Sequence, residues 1–370
     1  MATSEHTRET LTAAITTLCL ELFQRVQVDD PAAILSDLGT RVRELTDAAT
    51  DPAPLAAAPS FIADVLADLE RRTQHYAQTG STIVGHATGL NRLDDLLGGL
   101  EAGRVTILQA APGTGKTTLS NQLAYHVAAH SHAPVLYLSF ENQPADLTLK
   151  TLCRLASVSL SQASKGLVQP VKLAEAAQIF QARAGSLYYQ GGNGATTIET
   201  IRATLRTIMR AHPNAGHPVV VIDYLQQLAR AATGGGRGED LFSQVSRISG
   251  QLSSLAGDPE IQAHVWAISS MNRESYKNAK ATNGMASGKG SGDLEYDAAA
   301  VLALNVDDTN RATDSNTDCL SLTLVKNRFG PLGGVSLGRD RTTLRIAEID
   351  TRATDLGANL VGRLRENGGR

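Results

Sequence analysis

The chain has 370 residues, 42% hydrophobic and 19% charged, with a formal net charge of −3, which suits a soluble protein holding one large α/β domain and a smaller appendage and argues against general coating of nucleic acid. Cys19, Cys153 and Cys319 lie far apart without ligand spacing, which argues against a disulfide framework or zinc site and for small buried thiols in a reducing compartment. No apolar run approaches membrane-spanning length and residues 1–10 lack the order of a signal peptide, so the expectation is a cytoplasmic protein without a membrane partner.

Leu11, Ile15, Leu18 and Leu22, then Ile34, Leu38, Val42 and Leu45, recur at helical spacing, so residues 1–50 read as a small helical region. Residues 51–80 read as a Pro/Ala linker followed by a linker helix at 61–77, with Ser60 as its N-cap and Ile62, Val65, Leu66 and Leu69 on one stripe. That stripe needs a partner surface, on a neighbouring subunit or within the same chain.

From residue 81 to 345 strand-like and helix-like segments alternate, which predicts an α/β fold with a mostly parallel, doubly wound sheet and helices on both faces. Strands are expected at 104–110, 134–140, 186–189, 218–222, 263–268, 298–304, 320–328 and 333–337, and helices from 116 and at 144–157, 171–184, 197–211 and 239–256. Trp266 falls in a core strand, and His130 and His132 read as polar surface. None of the histidines forms a metal set. Residues 346–370 read as a C-terminal tail with frayed last residues.

The string Ala-Pro-Gly-Thr-Gly-Lys-Thr-Thr at 111–118 follows an apolar strand and opens a helix. That order builds a phosphate cradle for a nucleoside triphosphate. Gly113 and Gly115 turn backbone N–H groups inward, flanked by Ala111, Thr114 and Thr118; Lys116 reaches the outer phosphates, and Thr117 offers a hydroxyl to Mg²⁺. The strict pattern wants glycine at Ala110. Asp223 closes an apolar strand roughly a hundred residues on, where such a site needs a carboxylate for the metal. Glu141 ends the preceding strand, placed to polarise the attacking water. Lys326 and Arg328, two apart on a predicted strand, share one face and suit a phosphate, or else are solvated charges on an edge strand.

Two further stretches read as loops: residues 231–240, rich in glycine around Arg237, and residues 273–292, which include Lys277, Lys280 and Lys289.

Taken in order, several stretches resemble the C-terminal ATPase domain of the DnaB-type replicative helicases, a branch of the RecA-like hexameric motors. They are Thr-Gly-Leu-Asn-Arg-Leu-Asp at 88–94, residues 110–119, Leu-Ser-Phe-Glu at 138–141 and Val-Ile-Asp-Tyr-Leu-Gln at 221–226. They continue with Ser-Ser-Met-Asn-Arg at 269–273, Gly-Ser-Gly-Asp-Leu-Glu-Tyr-Asp-Ala at 290–298 and Lys-Asn-Arg-Phe-Gly-Pro at 326–331. The family tolerates alanine at Ala110.

The resemblance implies a RecA-like ring, a hexamer, that hydrolyses Mg²⁺-ATP between subunits, moves 5′ to 3′ on single-stranded DNA and unwinds forked duplex in replication. Glu141 would be the catalytic carboxylate, Asp223 the metal-associated one, and Lys326 and Arg328 would act on the ATP of the adjacent subunit. DNA would be held by Arg237 and by Lys289, Ser291 and Gly292. The chain departs from the family at Ser270, where a glutamine is usual, at Lys289 in place of arginine, and at Gly290 in place of an acidic residue. Its short N-terminal region puts primase or loader binding there in question. A second reading stays open: a DNA-dependent ATPase that serves as a recombination or replication accessory factor without unwinding.

Overall fold

Val and Ile at consecutive positions, as in residues 219–222, favour a strand buried on both faces of a covered sheet. A computed structural model describes residues 2–25, 34, 38, 41, 57–232, 241–270, 297–307 and 316–349. The chain divides into two compact units, Met1–Thr73 and Gln74–Arg370.

In the first unit, α1 (Ala2–Arg25) is a single long helix. Of the second expected helix, Ile34, Leu38 and Arg41 are described and helical; Arg41 pairs with Glu21 at 2.6 Å and Ile34 is buried. Cys19 is exposed, contrary to the expectation for all three thiols, while Cys153 and Cys319 are buried. Ser60 is not an N-cap. A 3-10 turn, Ala58–Phe61, precedes α2 (Ile62–Thr79), and the Ser60 hydroxyl donates to the Ala57 carbonyl at 2.7 Å. The turn opens at Ala58, with Ala57 as its cap, and Pro59 is its second residue, where a fixed φ already suits a helical start. Phe61, Ile62, Val65, Leu66, Leu69 and Tyr76 are exposed.

The second unit holds one sheet of nine strands among the described residues, in the order β3-β2-β4-β5-β1-β6-β7-β8-β9. These are β1 (Val105–Ala110), β2 (Val135–Ser139), β3 (Leu187–Gly191), β4 (Val219–Asp223), β5 (His264–Ser270), β6 (Ala300–Val306), β7 (Thr317–Asn327), β8 (Gly333–Asp340) and β9 (Ile346–Glu348). The first six pair in parallel, and β7, β8 and β9 add antiparallel. β9 places Ile346 and Ala347, both buried, inside the stretch expected to be tail.

Side-chain alternation splits the core into two. Leu108, Tyr137, Val221, Trp266 and Ile268 face one side, packed with Leu93 of α3 (Asn91–Leu97), Leu119 and Leu123 of α4 (Lys116–His126), Leu147 of α5 (Pro144–Ala156) and Phe180 of α7 (Pro170–Arg183). A short α6 (Leu160–Ser164) lies between the last two in sequence. Ile107, Leu138, Val220, Ile222 and Val265 face the other side, packed with α8 (Ile198–Ala211), α9 (Leu225–Ala232) and α10 (Leu241–Ala256). Trp266 is fully buried and its Nε1 donates to Ser120 Oγ at 2.9 Å, so it serves packing as expected. Among the described residues no helix is long and apolar enough to cross a membrane, and no cluster of three or more His, Cys, Asp or Glu could hold a metal ion.

Candidate nucleotide site

All the parallel strands end at one edge of the sheet, and the loops leaving that edge form the crevice where such folds take ligands. Ala110 ends β1 fully buried. The chain then turns through Gly113 at φ 80° and Gly115 at φ 108°, conformations that cost a side-chain-bearing residue dearly, and enters α4. Thr114 closes the loop by donating its hydroxyl to the Ala111 carbonyl at 2.8 Å. Lys116 Nζ folds back to the carbonyls of Ala110 and Ala111, at 2.8 and 2.9 Å. Burial lowers its pKa, opposed by the negative charges of Asp223 and Glu141. Thr118 follows, half-buried, in the first turn of α4.

Asp223, at the tip of β4, is 2% exposed. Burial raises its pKa; hydrogen bonds from the hydroxyls of Tyr137 and Thr117 work against the shift, as does the charge of Lys116, while Glu141 adds to it. Tyr137 donates to Asp223 Oδ2 at 2.9 Å. Thr117 and Asp223 thus converge as two hard oxygen donors, the set Mg²⁺ prefers, and the left-handed glycines with Lys116 suit a polyphosphate. Both groups implied by the sequence fit these residues.

Glu141 lies exposed two residues beyond β2, close enough to act on the charges of Lys116 and Asp223. The β2 and β4 tips are tied by Phe140 N–H donating to the Asp223 carbonyl at 2.8 Å. Ser270 ends β5, and both its backbone groups are held by one side chain that sequence reasoning quoted without a role: Gln226 of α9. Ser270 N–H donates to Gln226 Oε1 at 3.2 Å, while Gln226 Nε2 donates to the Ser270 carbonyl at 3.2 Å and to Ser269 Oγ at 2.9 Å.

Lys326 and Arg328 do not join this cluster. β7 runs antiparallel to β6, and its last residue, Asn327, pairs with Ala300, which is level with Thr106 near the start of β1. The phosphate loop leaves from Ala110, a further four residues along β1, about 13 Å at strand rise. The two cations therefore sit at the opposite edge of the sheet from their own loop. Lys326 is on β7, whereas Arg328, expected within the strand, lies exposed in the bend just past it, its N–H donating to the Ala299 carbonyl at 2.9 Å. Arg104 stacks its guanidinium over the neighbouring Phe329 ring at 3.9 Å. Arg237, Lys289, Ser291 and Gly292 lie outside the described residues.

The family model for the DnaB-like helicase C terminal domain matches residues 85–348. The replicative DNA helicase DnaC of Bacillus subtilis (strain 168) is 27% identical over 297 residues, covering 80% of this chain and 63% of the relative. DnaB of Geobacillus stearothermophilus is 27% identical over 292 residues, 79% and 62% of the two chains. This chain thus spans less than two thirds of the length of these relatives. Among solved structures, one isolated ATPase domain superposes with a TM-score of 0.67 at 20% identity, over 80% of this chain and all of that one. A DnaB-like replicative helicase, described with its interactions with primase, gives 0.64 at 18% identity over 93% and 78%. The sheet order and these likenesses give the RecA-like α/β fold expected from the motifs. The extent of the family match, from ahead of β1 through β9, makes this chain a member of the DnaB-like helicase C-terminal domain family.

Proposed function

We propose that this chain is the motor of an ATP-dependent DNA helicase: a cytoplasmic ring, a hexamer, that translocates 5′ to 3′ on single-stranded DNA and unwinds forked duplex during replication. The observation that carries the reading is the split site. Lys116, Thr117, Asp223 and Glu141 gather at one edge of the sheet, while Lys326 and Arg328 stand at the other. Neither half suffices for phosphoryl transfer, which needs cationic charge against the transferred group. A second copy, presenting its Lys326 and Arg328 to this copy's loop, completes the site. The exposed apolar stripe of α2, from Ile62 to Tyr76, with Phe61 just ahead of it, supports the same assembly.

In this reading Lys116 leaves the carbonyls of Ala110 and Ala111 to bind the outer phosphates, with Ala111, Gly113, Thr114, Gly115 and Thr118 lining the cradle. Thr117 and Asp223 would hold Mg²⁺, which would supply neutralisation of the phosphate charge. Glu141 orients a water and accepts its proton. Arg237, Lys289, Ser291 and Gly292 carry DNA backbone contacts. A primase is the partner class supported by the similar helicase described with one.

The test is strand separation of a labelled fork measured beside ATP hydrolysis, with and without single-stranded DNA. Unwinding that needs ATP and a 5′ single-stranded tail supports the reading. Hydrolysis stimulated by single strands but without separation contradicts it and favours the accessory ATPase.

A further inference from the structure

Two antiparallel pairings, β6 with β7 and β7 with β8, turn β8 back into the direction of β1. The last residues of β8 therefore emerge at the same edge as the phosphate loop. Register fixes the level: Leu304 is opposite both Ala110 and Leu322, Leu322 is opposite Val335, and Arg339 lies four residues further toward the loop, facing Asp318.

Asp318 is 6% exposed and anchors two arginines. Its Oδ2 accepts from Arg339 Nε at 2.9 Å and Nη2 at 2.5 Å, and its Oδ1 accepts from Nε of Arg341 at 2.8 Å and also from Nη2. The fork of Arg339 is thereby fixed in plane, and its remaining nitrogen, Nη1, donates to the Gly113 carbonyl at 3.2 Å. The same nitrogen would stand 2.7 Å from a Cβ built on Gly115. One guanidinium, held from behind by a buried carboxylate, lies against both left-handed glycines of the cradle.

We propose that Arg339 is a positioning residue of the nucleotide site, acting within its own subunit to hold the Gly113–Gly115 turn in the shape that binds polyphosphate. The proposal rests on the nucleotide reading above. Glycines lose the most conformational freedom on ordering, so a free Gly-Thr-Gly turn would have to be ordered by the ligand at the expense of affinity. An arginine that donates two hydrogen bonds to one oxygen of a buried carboxylate does that ordering beforehand, and the five donors of a planar guanidinium let it hold Asp318 and Gly113 together.

The experiment is equilibrium binding of ATP and ADP to the full chain, followed by steady-state hydrolysis. Arg339→Ala raises the Kd for both nucleotides about tenfold, the size expected for one charge-assisted hydrogen bond. KM rises in step, while kcat at saturation stays within about twofold, the split expected when binding and not the transition state is weakened. Arg339→Lys keeps charge but cannot bridge both partners, so its Kd falls between the two. A folded Arg339→Ala protein that binds ATP like wild type, while Lys116→Ala does not bind, would overturn this proposal alone. If the alanine variant does not fold, an unchanged Kd in folded Arg339→Lys overturns it equally. Wild-type protein that binds no ATP would overturn both this proposal and the reading it rests on.

Discussion

Tyr137, in the middle of β2, donates its hydroxyl at 2.9 Å to Oδ2 of Asp223, at the tip of the adjacent β4, in a buried setting. With Thr117 on the same carboxyl, this bond offsets the burial that pushes Asp223 toward its neutral form. Tyr137→Phe removes the donor without changing the ring. The Mg²⁺ concentration that half-saturates hydrolysis then rises several-fold and stability falls by about 1 kcal/mol, the worth of one buried hydrogen bond. A Mg²⁺ titration beside thermal unfolding checks both; an unchanged titration contradicts the role given to Asp223.

Gly115→Ala meets two obstacles. The residue sits at φ 108°, and a Cβ would stand 2.7 Å from Arg339 Nη1. Backbone strain of this kind costs on the order of 1–3 kcal/mol, and in a loop it is relieved by reshaping the loop. Nucleotide binding is lost while the far core, built on Val220, Ile222 and Leu205, keeps its unfolding transition. Calorimetry of ATP binding and circular dichroism separate the two effects.

Three histidines lie near one another at the start of the sheet. His86 and His217 stack with centroids 4.0 Å apart, and burial holds His217 at about 4, with the charge of His86 adding to it and the Leu100 hydrogen bond opposing it. His264 is held at about 3, again mainly by burial, opposed by its bond to the Glu101 carbonyl and aided by His217, His86 and Arg104; His86 is lowered by burial against its bond to the His217 carbonyl. Folded-state values below the unfolded value of 6.5 mean that the unfolded chain binds more protons in between. The stability contributed by the neutral rings of His217 and His264 is full above about pH 6.5 and is lost as pH falls toward about 4 and about 3, by roughly 1–2 kcal/mol for each of these two near pH 5, and the lowered His86 acts in the same direction. Urea unfolding at about pH 7.5 and about pH 5 measures this, and a flat profile contradicts it.

Gln226→Ala frees both backbone groups of Ser270, the last described residue before 271–296. ATP affinity stays, because Gln226 touches neither the loop nor Asp223 in the contacts above. Stimulation of hydrolysis by single-stranded DNA falls about fivefold or more, the lower range for coupling between two sites. Equal stimulation in variant and wild type contradicts a role in coupling.

The phosphate loop was legible because its chemistry is local: an apolar strand, two glycines and Lys116-Thr117 within a dozen residues. Asp223 was legible because the β-branched run at 219–222 reads as a buried strand, and parallel strands of such a sheet end at the edge where the loop lies. Arg339 was not, since its reach to Gly113 depends on the register of β6, β7 and β8 in succession, and no spacing along the chain encodes that. Gln226 joins Ser270 across 44 residues, and α9 is too short for periodicity to mark it. The separation of Lys326 and Arg328 from their own loop likewise follows from β7 being antiparallel, while the motif alone gave their identity.

In the proposed assembly each site draws its cradle from one copy and its cations from another. Lys116→Ala and Arg328→Ala proteins, each inactive alone, are co-assembled and assayed for ATP hydrolysis. Where a Lys116→Ala copy lends its intact Arg328 to the intact loop of an Arg328→Ala copy, a complete site is restored, so mixed assemblies regain a substantial fraction of wild-type hydrolysis. Mixed assemblies, verified by mass, that remain as inactive as either variant alone would rule out a site shared between copies.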